Sequence, residues 1–326
     1  LAGQLEAALG VTNLELVTNG TLALQLAIKA LDLVGEIITT PYSYVATTSS
    51  ILWEGCKPVF VDIDAKTFCI DPELIEAAIT PRTSAILATH VYGYPCAVDA
   101  IQAIADRHGL KVVYDAAHAF GVRLAGRSLL LHGDCSTLSF HATKLFHTIE
   151  GGAVVSRDPA VSRRVFLAKK FGHIGEEDYI DIGINAKLSE MHAAMGLCVL
   201  PRVGEIVAAR KACSLLYDDL LADVPLVRPV APAGCEYNYA YHPVVFASAE
   251  VMQRVRQALL DDGIVPRRYF YPSLNTLPYL APEMKKSCPV SERVARCVLS
   301  LPLYVGLSAD DIVRICGIVR AAVRCC

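Results

Sequence analysis

The sequence predicts an α/β protein with a mostly parallel central sheet, followed by a smaller α+β unit. Three observations predict it. From Leu14 to about Ser156, short β-branched runs alternate with longer stretches of helical apolar spacing. Runs such as Val112-Val113-Tyr114 are continuously apolar, which suits strands covered on both faces. After Ser156 the alternation stops, and Pro225, Pro229 and Pro232 mark a change of element.

Taken in order, Leu1-Ala2-Gly3 already reads as helical. Strands are expected at Leu14–Val17, Glu36–Thr39, Pro58–Val61, Ser84–Ala88, Lys111–Tyr114, Cys135–Ser139 and Ala153–Ser156. Between them, Thr21–Leu33, Tyr44–Glu54, Pro72–Ile79 and Val98–His108 have helical spacing. No helix separates the last two strands, so one of them is expected to run antiparallel. Pro159–Lys170 reads as a helix, followed by a Gly-rich charged stretch from Phe171 to Gly183. A long helical segment spans Ser189 to Leu221, with a break expected at Pro201. The remainder predicts a strand at Ala240–Phe246, a helix at Glu250–Asp262 and an extended stretch at Arg267–Tyr271. Helices are expected at Val290–Val298 and Ala309–Arg324. The division expected is a large domain over residues 1–200 and a small one over 201–326.

The 326 residues are 53% hydrophobic and 19% charged, with a net charge of −3. That composition excludes disorder as the main state and excludes a strongly basic nucleic-acid footprint. No uninterrupted apolar run approaches the roughly 18–20 residues a bilayer span needs, so no membrane segment is expected. Twelve cysteines are scattered, only Cys325 and Cys326 being adjacent, and no C-x-x-C occurs. They read as reduced thiols of a cytoplasmic protein, without a metal site.

No G-x-G-x-x-G follows the first strand, and no Walker A motif is present. Four loops after strands carry the chemistry instead, where an open α/β sheet places its ligands. Thr18-Asn19-Gly20-Thr21 precedes a helix; its exposed N–H groups and dipole suit a phosphate, or simply a capped helix start. Pro41–Thr47 offers Tyr44, which either stacks on a flat heterocycle or packs in the core. In Tyr114–Ala119, Asp115 ends an apolar strand, where its carboxylate needs a cationic partner or caps the next helix. His118 of the same loop reads by default as a structural histidine. Ser139–Lys144 places a lysine in a polar-poor stretch ahead of Glu150-Gly151-Gly152. Lys144 either snorkels to the surface or serves as an imine-forming amine, with Ser139 adding a phosphate contact. Phosphate cradle, aromatic platform, strand-end carboxylate and amine are together the parts that pyridoxal 5′-phosphate requires.

With these stretches in view, the chain resembles the DegT/DnrJ/EryC1/StrS sugar aminotransferases, type-I pyridoxal-phosphate-dependent transferases of the aspartate aminotransferase-like fold. The matching segments include Gly55–Asp64, Thr89–Gly93 (THVYG), Tyr114–Gly121 (YDAAHAFG), Ser139–Gly152 (SFHATKLFHTIEGG) and Gly183–Gly196. The resemblance implies catalytic roles for Lys144, Asp115 and His118. Lys144 matches the lysine that binds the cofactor covalently, Asp115 the partner of the pyridine nitrogen, and His118 a residue, often Gln, beside the ring. Tyr44 matches the stacking aromatic, and Gly20, Thr21 and Ser139 the phosphate cradle. Asn185 matches an asparagine that reaches the phosphate of the neighbouring subunit, which implies a homodimer with shared active sites. Lys187 falls where the family commonly has a basic residue, which raises an anionic-substrate role.

Phe140–Gly152 and Arg267–Pro272 (RRYFYP) are most similar to dTDP-4-amino-4,6-dideoxyglucose transaminases. That implies a nucleotide-linked 4-keto-6-deoxy sugar, dTDP-4-keto-6-deoxyglucose, as acceptor and glutamate as donor, in surface-polysaccharide (O-antigen) or other amino-sugar biosynthesis. A lysine rather than a histidine at position 144 argues against the family's dehydratase branch. The alternatives are a non-catalytic or regulatory member of the fold, or a 3-keto sugar aminotransferase. Family members carry some tens of residues before the point where this sequence starts, which implies an arm missing from it. Thr148-Ile149 departs from the small residues usual ahead of Glu150.

Overall fold

The computed structural model describes residues 1–324; the pair Cys325 and Cys326 lies outside the described residues. α1 (Ala2–Leu9) is closed by Gly10 in the left-handed conformation. There follow β1 (Leu14–Val17), α2 (Gly20–Ala30), β2 (Glu36–Thr39), α3 (Val45–Trp53), β3 (Lys57–Phe60), β4 (Thr83–Thr89), α4 (Val98–His108) and β5 (Lys111–Asp115). A short hairpin, β6 (Arg123–Leu124) and β7 (Arg127–Ser128), precedes β8 (Cys135–Ser139), β9 (Gly152–Ser156) and α5 (Pro159–Ala168). The hairpin β10 (His173–Ile174) and β11 (Asp178–Tyr179) leads to α6 (Glu190–Val199) and α7 (Val203–Leu220). The chain ends with β12 (Cys235–Glu236), β13 (His242–Val245), α8 (Ala249–Asp261), α9 (Pro289–Cys297), β14 (Val298–Leu301) and α10 (Ala309–Arg324).

Seven strands form the main sheet in the order β1-β9-β8-β5-β4-β2-β3. β9 is the antiparallel strand anticipated, opposed to both β1 and β8, and the other neighbouring pairs are parallel. Six strands therefore present their carboxyl ends at one edge. The continuous apolar runs have their cause in two buried faces. Ile38, Ile86, Val112 and Tyr114 pack into one core, while Ile37, Ala85, Leu87 and Val113 pack into the other. A separate core unites Tyr217, Val244, Met252, Leu299, Ile315 and Val319 around the β13–β14 pair.

Several expectations are corrected. The helix expected at Pro72–Ile79 is two single 3₁₀ turns, Pro72–Leu74 and Glu76–Ala78. Only Ile75 and Ala78 of this stretch are buried, too little packing to hold a marginal eight-residue helix. At Pro201 the helix does not break but tightens to a 3₁₀ turn, Leu200–Arg202, because proline there occupies the first turn. The resulting 31-residue stretch Glu190–Leu220 is long and apolar enough to cross a membrane by length and composition, and only 11% of its apolar window is buried within the chain. That differs from the run count because the interrupting residues, Arg202 and Glu205, are few. β14 was missed: its residues were read partly as helix, yet Val298 pairs with Val245. The stretch Arg267–Tyr271, expected to be extended, forms neither helix nor strand and pairs through Arg267, which bridges to Ser300. The ten described cysteines are free thiols.

Candidate active site

A cavity of about 620 Å³ opens at the carboxyl edge of the sheet. Gly20, Thr21, Tyr44, Asp115, His118, Ser139 and Lys144 all line it. Chain segments 124 residues apart thus meet because β1, β8, β5 and β2 all end at that same edge of the sheet.

The first wall is the start of α2. Asn19, not Thr21, is the helix cap: its Oδ1 accepts the Leu22 N–H at 2.9 Å. Gly20 and Thr21 form the first turn, whose free N–H groups face the cavity. Gly20 permits a close approach, since a Cβ there would lie 2.7 Å from Ser139 Cβ. Gly152 makes that approach possible, pairing with Val17 on one side and Ser139 on the other. A Cβ on Gly152 would meet the Asn19 carbonyl carbon at 2.6 Å. The helix start, the two glycines and Ser139 thus come together at this corner, an arrangement suited to a phosphate.

Asp115 closes β5 and is 5% exposed. Its Oδ2 accepts from Thr47 Oγ1 at 2.8 Å and its Oδ1 from the Ala117 N–H at 3.1 Å. Neither partner carries charge, and burial pushes the carboxyl above its ordinary value. The Lys144 charge acts on it from across the cavity but is not bonded to it, which leaves a buried carboxylate suited to a bound cation. Thr47 is held in turn by Ser43 Oγ at 2.8 Å. Tyr44 is 57% exposed, which excludes the core-packing reading for that ring.

Lys144 sits in a loop pinned by its apolar neighbours. Phe140 and Phe146 are fully buried, and Phe146 stacks on Phe120 with centroids 4.6 Å apart. The lysine side chain is half-buried, and its Nζ donates to Tyr241 Oη at 3.4 Å. His118 is buried, its Nδ1 accepting the Tyr92 N–H at 3.2 Å. Burial, then the Lys144 charge, hold its imidazole well below the ordinary value, so the ring is neutral.

Among the described residues no cluster of three or more metal-ligating side chains occurs. An unpaired buried carboxylate, a corner suited to a phosphate and an amine in one cavity fit pyridoxal 5′-phosphate. The chain as a whole also matches known proteins. The family of DegT/DnrJ/EryC1/StrS aminotransferases matches residues 1–320.

The chain belongs to the DegT/DnrJ/EryC1/StrS aminotransferase family.

A dTDP-4-amino-4,6-dideoxy-D-glucose transaminase of Shigella dysenteriae is 43% identical over 318 residues, 96% of this chain and 86% of that protein. One of Escherichia coli is 41% identical, over 94% and 85%. A UDP-N-acetyl-3-dehydro-alpha-D-glucosamine 3-aminotransferase of Acidithiobacillus ferrooxidans is 33% identical, over 93% and 82%. The crystal structure of DesI in the presence of its TDP-sugar product superposes with a TM-score of 0.94 at 35% identity, covering 99% of this chain and 84% of that one. This aminotransferase has the type-I pyridoxal-phosphate-dependent fold.

Asn185 does not line the cavity of its own chain. It is exposed, bridges to Lys170, and its Oδ1 accepts from Lys187 Nζ at 2.7 Å. Residues that sequence reasoning passed over complete the cavity: Tyr241, Arg267, Tyr269 and Phe270. They come from the C-terminal part of the chain; the signal for Arg267, Tyr269 and Phe270 was the RRYFYP segment, and Tyr241 had none. Thr47 was inside a segment singled out, but its bond to Asp115 was not foreseeable from spacing.

Proposed function

We propose that this aminotransferase uses pyridoxal 5′-phosphate to convert a nucleotide-linked 4-keto-6-deoxy sugar, dTDP-4-keto-6-deoxyglucose, into the 4-amino sugar, with glutamate as amino donor. The observation that carries the cofactor assignment is Asp115, a buried carboxylate bonded only by neutral donors, in one cavity with the Lys144 amine. The identity of 43% and 41% to two dTDP-4-amino-4,6-dideoxy-D-glucose transaminases, against 33% for the 3-aminating relative, supports the 4-keto acceptor.

When bound, the cofactor supplies an aldehyde for the amine and an electron-withdrawing ring. Lys144 would hold the aldehyde through its Nζ, and the same amine, when free, would move the proton at the donor's α-carbon. Asp115 holds a proton on the pyridine nitrogen. The N–H groups of Gly20 and Thr21, with Ser139 Oγ, bind the phosphate. Tyr44 covers the ring, and His118 lies beside it. Residues 1–200 constitute the cofactor-binding domain in this reading, and 201–326 the smaller one.

The protein works as a cytoplasmic homodimer with shared active sites. Ile174, Tyr179, Ile180, Ile182 and Met191, close to Asn185 in sequence, are all exposed, and large apolar side chains left exposed in one stretch support an interface there. Asn185 thereby reaches the phosphate site of the partner, and the apolar side of Glu190–Leu220 is buried between subunits. A sedimentation mass of a single 35.2 kDa chain overturns the dimer.

The function is tested by incubating purified protein with glutamate and a panel of nucleotide-linked 4-keto and 3-keto sugars. The expected product is the 4-amino sugar, with the cofactor's visible band lost on glutamate and restored by the acceptor. A 3-amino product, or no conversion of the cofactor, overturns it.

A further inference from the structure

The segment Thr89–Gly93 supplies no group to the chemistry above, yet it packs directly behind the site: the Tyr92 ring lies against Tyr241 and Phe270, and its N–H meets His118. Tyr92 adopts the left-handed conformation (φ 55°, ψ 9°), uncommon for a bulky residue. Gly93 follows at φ 93°, and a Cβ there would lie 2.7 Å from the His118 carbonyl oxygen. The turn is therefore pressed against the backbone of residue 118. Three contacts hold it: Tyr42 Oη lies 2.7 Å from Tyr92 Oη, Tyr237 Oη donates to the Tyr92 carbonyl at 3.0 Å, and Tyr92 Oη donates to the Tyr269 carbonyl. Asn238 Nδ2 fixes the other side by donating to the carbonyls of His118 at 2.9 Å and Phe120 at 3.0 Å.

The imidazole is clamped as well. Phe270 stacks on it at 5.3 Å with 15° between planes, and Tyr241 meets it edge-on at 5.0 Å. With Nδ1 occupied as an acceptor, a neutral ring carries its proton on Nε2. We propose that Tyr92 is a positioning residue: its left-handed turn aims the backbone N–H at Nδ1, locks His118 with the proton on Nε2, and so makes His118 a fixed donor in the cavity. Proton transfer is left to Lys144, because an Nε2 that already bears hydrogen cannot take one up, and Nδ1 is turned away into the Tyr92 amide. The burial of the ring, which disfavours its charged form, acts in the same direction. The tautomer follows from the geometry alone, while its catalytic consequence rests on the transaminase reading.

The test separates the two. The purified full chain, labelled with ¹⁵N-histidine, gives long-range proton–nitrogen correlations for its nine histidines, and His118 is assigned as the signal missing from His118→Gln. The expected pattern is an unprotonated Nδ1 and a protonated Nε2 for His118. In Tyr92→Val, whose branched side chain disfavours the left-handed turn, the single tautomer gives way to a mixture. The opposite tautomer, a doubly protonated ring or a mixture in the wild type overturns the proposal. So does a folded Tyr92→Val that keeps the wild-type pattern; should that variant not fold, the wild-type spectrum decides. Turnover provides the second readout. Glutamine reproduces the acceptor toward Tyr92 and the donor toward the cavity, so His118→Gln retains at least about ten times the kcat of His118→Leu. Equal loss in both variants assigns proton transfer to His118 and overturns the proposal. If wild-type protein transaminates nothing, the transaminase reading fails while the tautomer result stands.

Discussion

Asp115 meets two opposed demands at one carboxyl group. A functional carboxylate must be buried to act strongly on a bound cation, and burial without that cation penalises its charge. The sign of the pH effect follows from the raised pKa. Stability contributed by such a group is present while the carboxyl is protonated and is lost as pH rises through the raised value. In cofactor-free protein at neutral pH, Asp115→Asn is therefore expected to raise Tm, as calorimetry will read. In the proposed function the same change removes the charge that would hold the pyridine proton, and kcat is expected to fall by about 100-fold or more. A variant that lost both stability and activity would contradict this account. The residues that sequence pattern revealed at this scale, Asp115 and Lys144, stand at strand ends or in loops where chemistry-bearing side chains are conspicuous. Thr47 and Tyr241 were not legible, because a hydroxyl acquires meaning only from what it touches.

The loop from Ser139 to Gly152 shows how an element is shaped by close contacts. Ile149 holds φ 68° while half its side chain faces water. Its left-handed backbone costs about 1–2 kcal/mol, and glycine returns about 0.5–1 kcal/mol of that as unfolded-chain entropy. Ile149→Gly is thus expected to stabilise the protein by roughly 0.5–1 kcal/mol in urea unfolding, within the range those two terms allow. Thr148 Oγ1 donates to the Glu150 carbonyl at 2.7 Å, and a Cβ on Gly151 would come within contact of that hydroxyl. The departure Thr148-Ile149 is accommodated in this way, with the hydroxyl closing the turn and the glycine leaving room for it. At the start of α2 the margin is similar. Gly20→Ala would push a methyl group against Ser139, and overpacking of about 1–3 kcal/mol at the cradle corresponds to roughly ten- to hundredfold weaker cofactor binding. Titration of stripped protein followed by its visible absorbance measures this.

At the scale of the whole molecule, three imidazoles are folded into the interior uncharged. His90 stacks on Tyr114 at 4.5 Å and is depressed to about 3 by burial; His118 and His242 are lowered by burial as well. A depressed histidine stabilises the fold above its unfolded pKa, and that contribution is lost as pH falls below about 6.5. Each site costs roughly 1.4 kcal/mol per pH unit once the unfolded chain binds its proton. Asp115 opposes this with one group against three. Tm is therefore expected to fall steadily between pH 7 and pH 5, and a flat profile would show that these rings are accessible.

The order of strands and helices was written in the sequence because each is a local property. Short apolar runs bounded by Gly, Pro and Asp fix the seven strands of the main sheet, and the missing helix between β8 and β9 announced that one of these two runs antiparallel. The residues lining the cavity that sequence pattern singled out were legible for the same reason, each standing near the end of a predictable strand. Only the tertiary structure decided which distant segments share a cavity: Tyr241 beside Lys144, Arg267 and Phe270 at the rim, Tyr92 on His118. Those contacts depend on how the C-terminal part packs over the sheet edge. Packing of that kind arises from many weak, non-local interactions whose sum no single stretch of sequence carries.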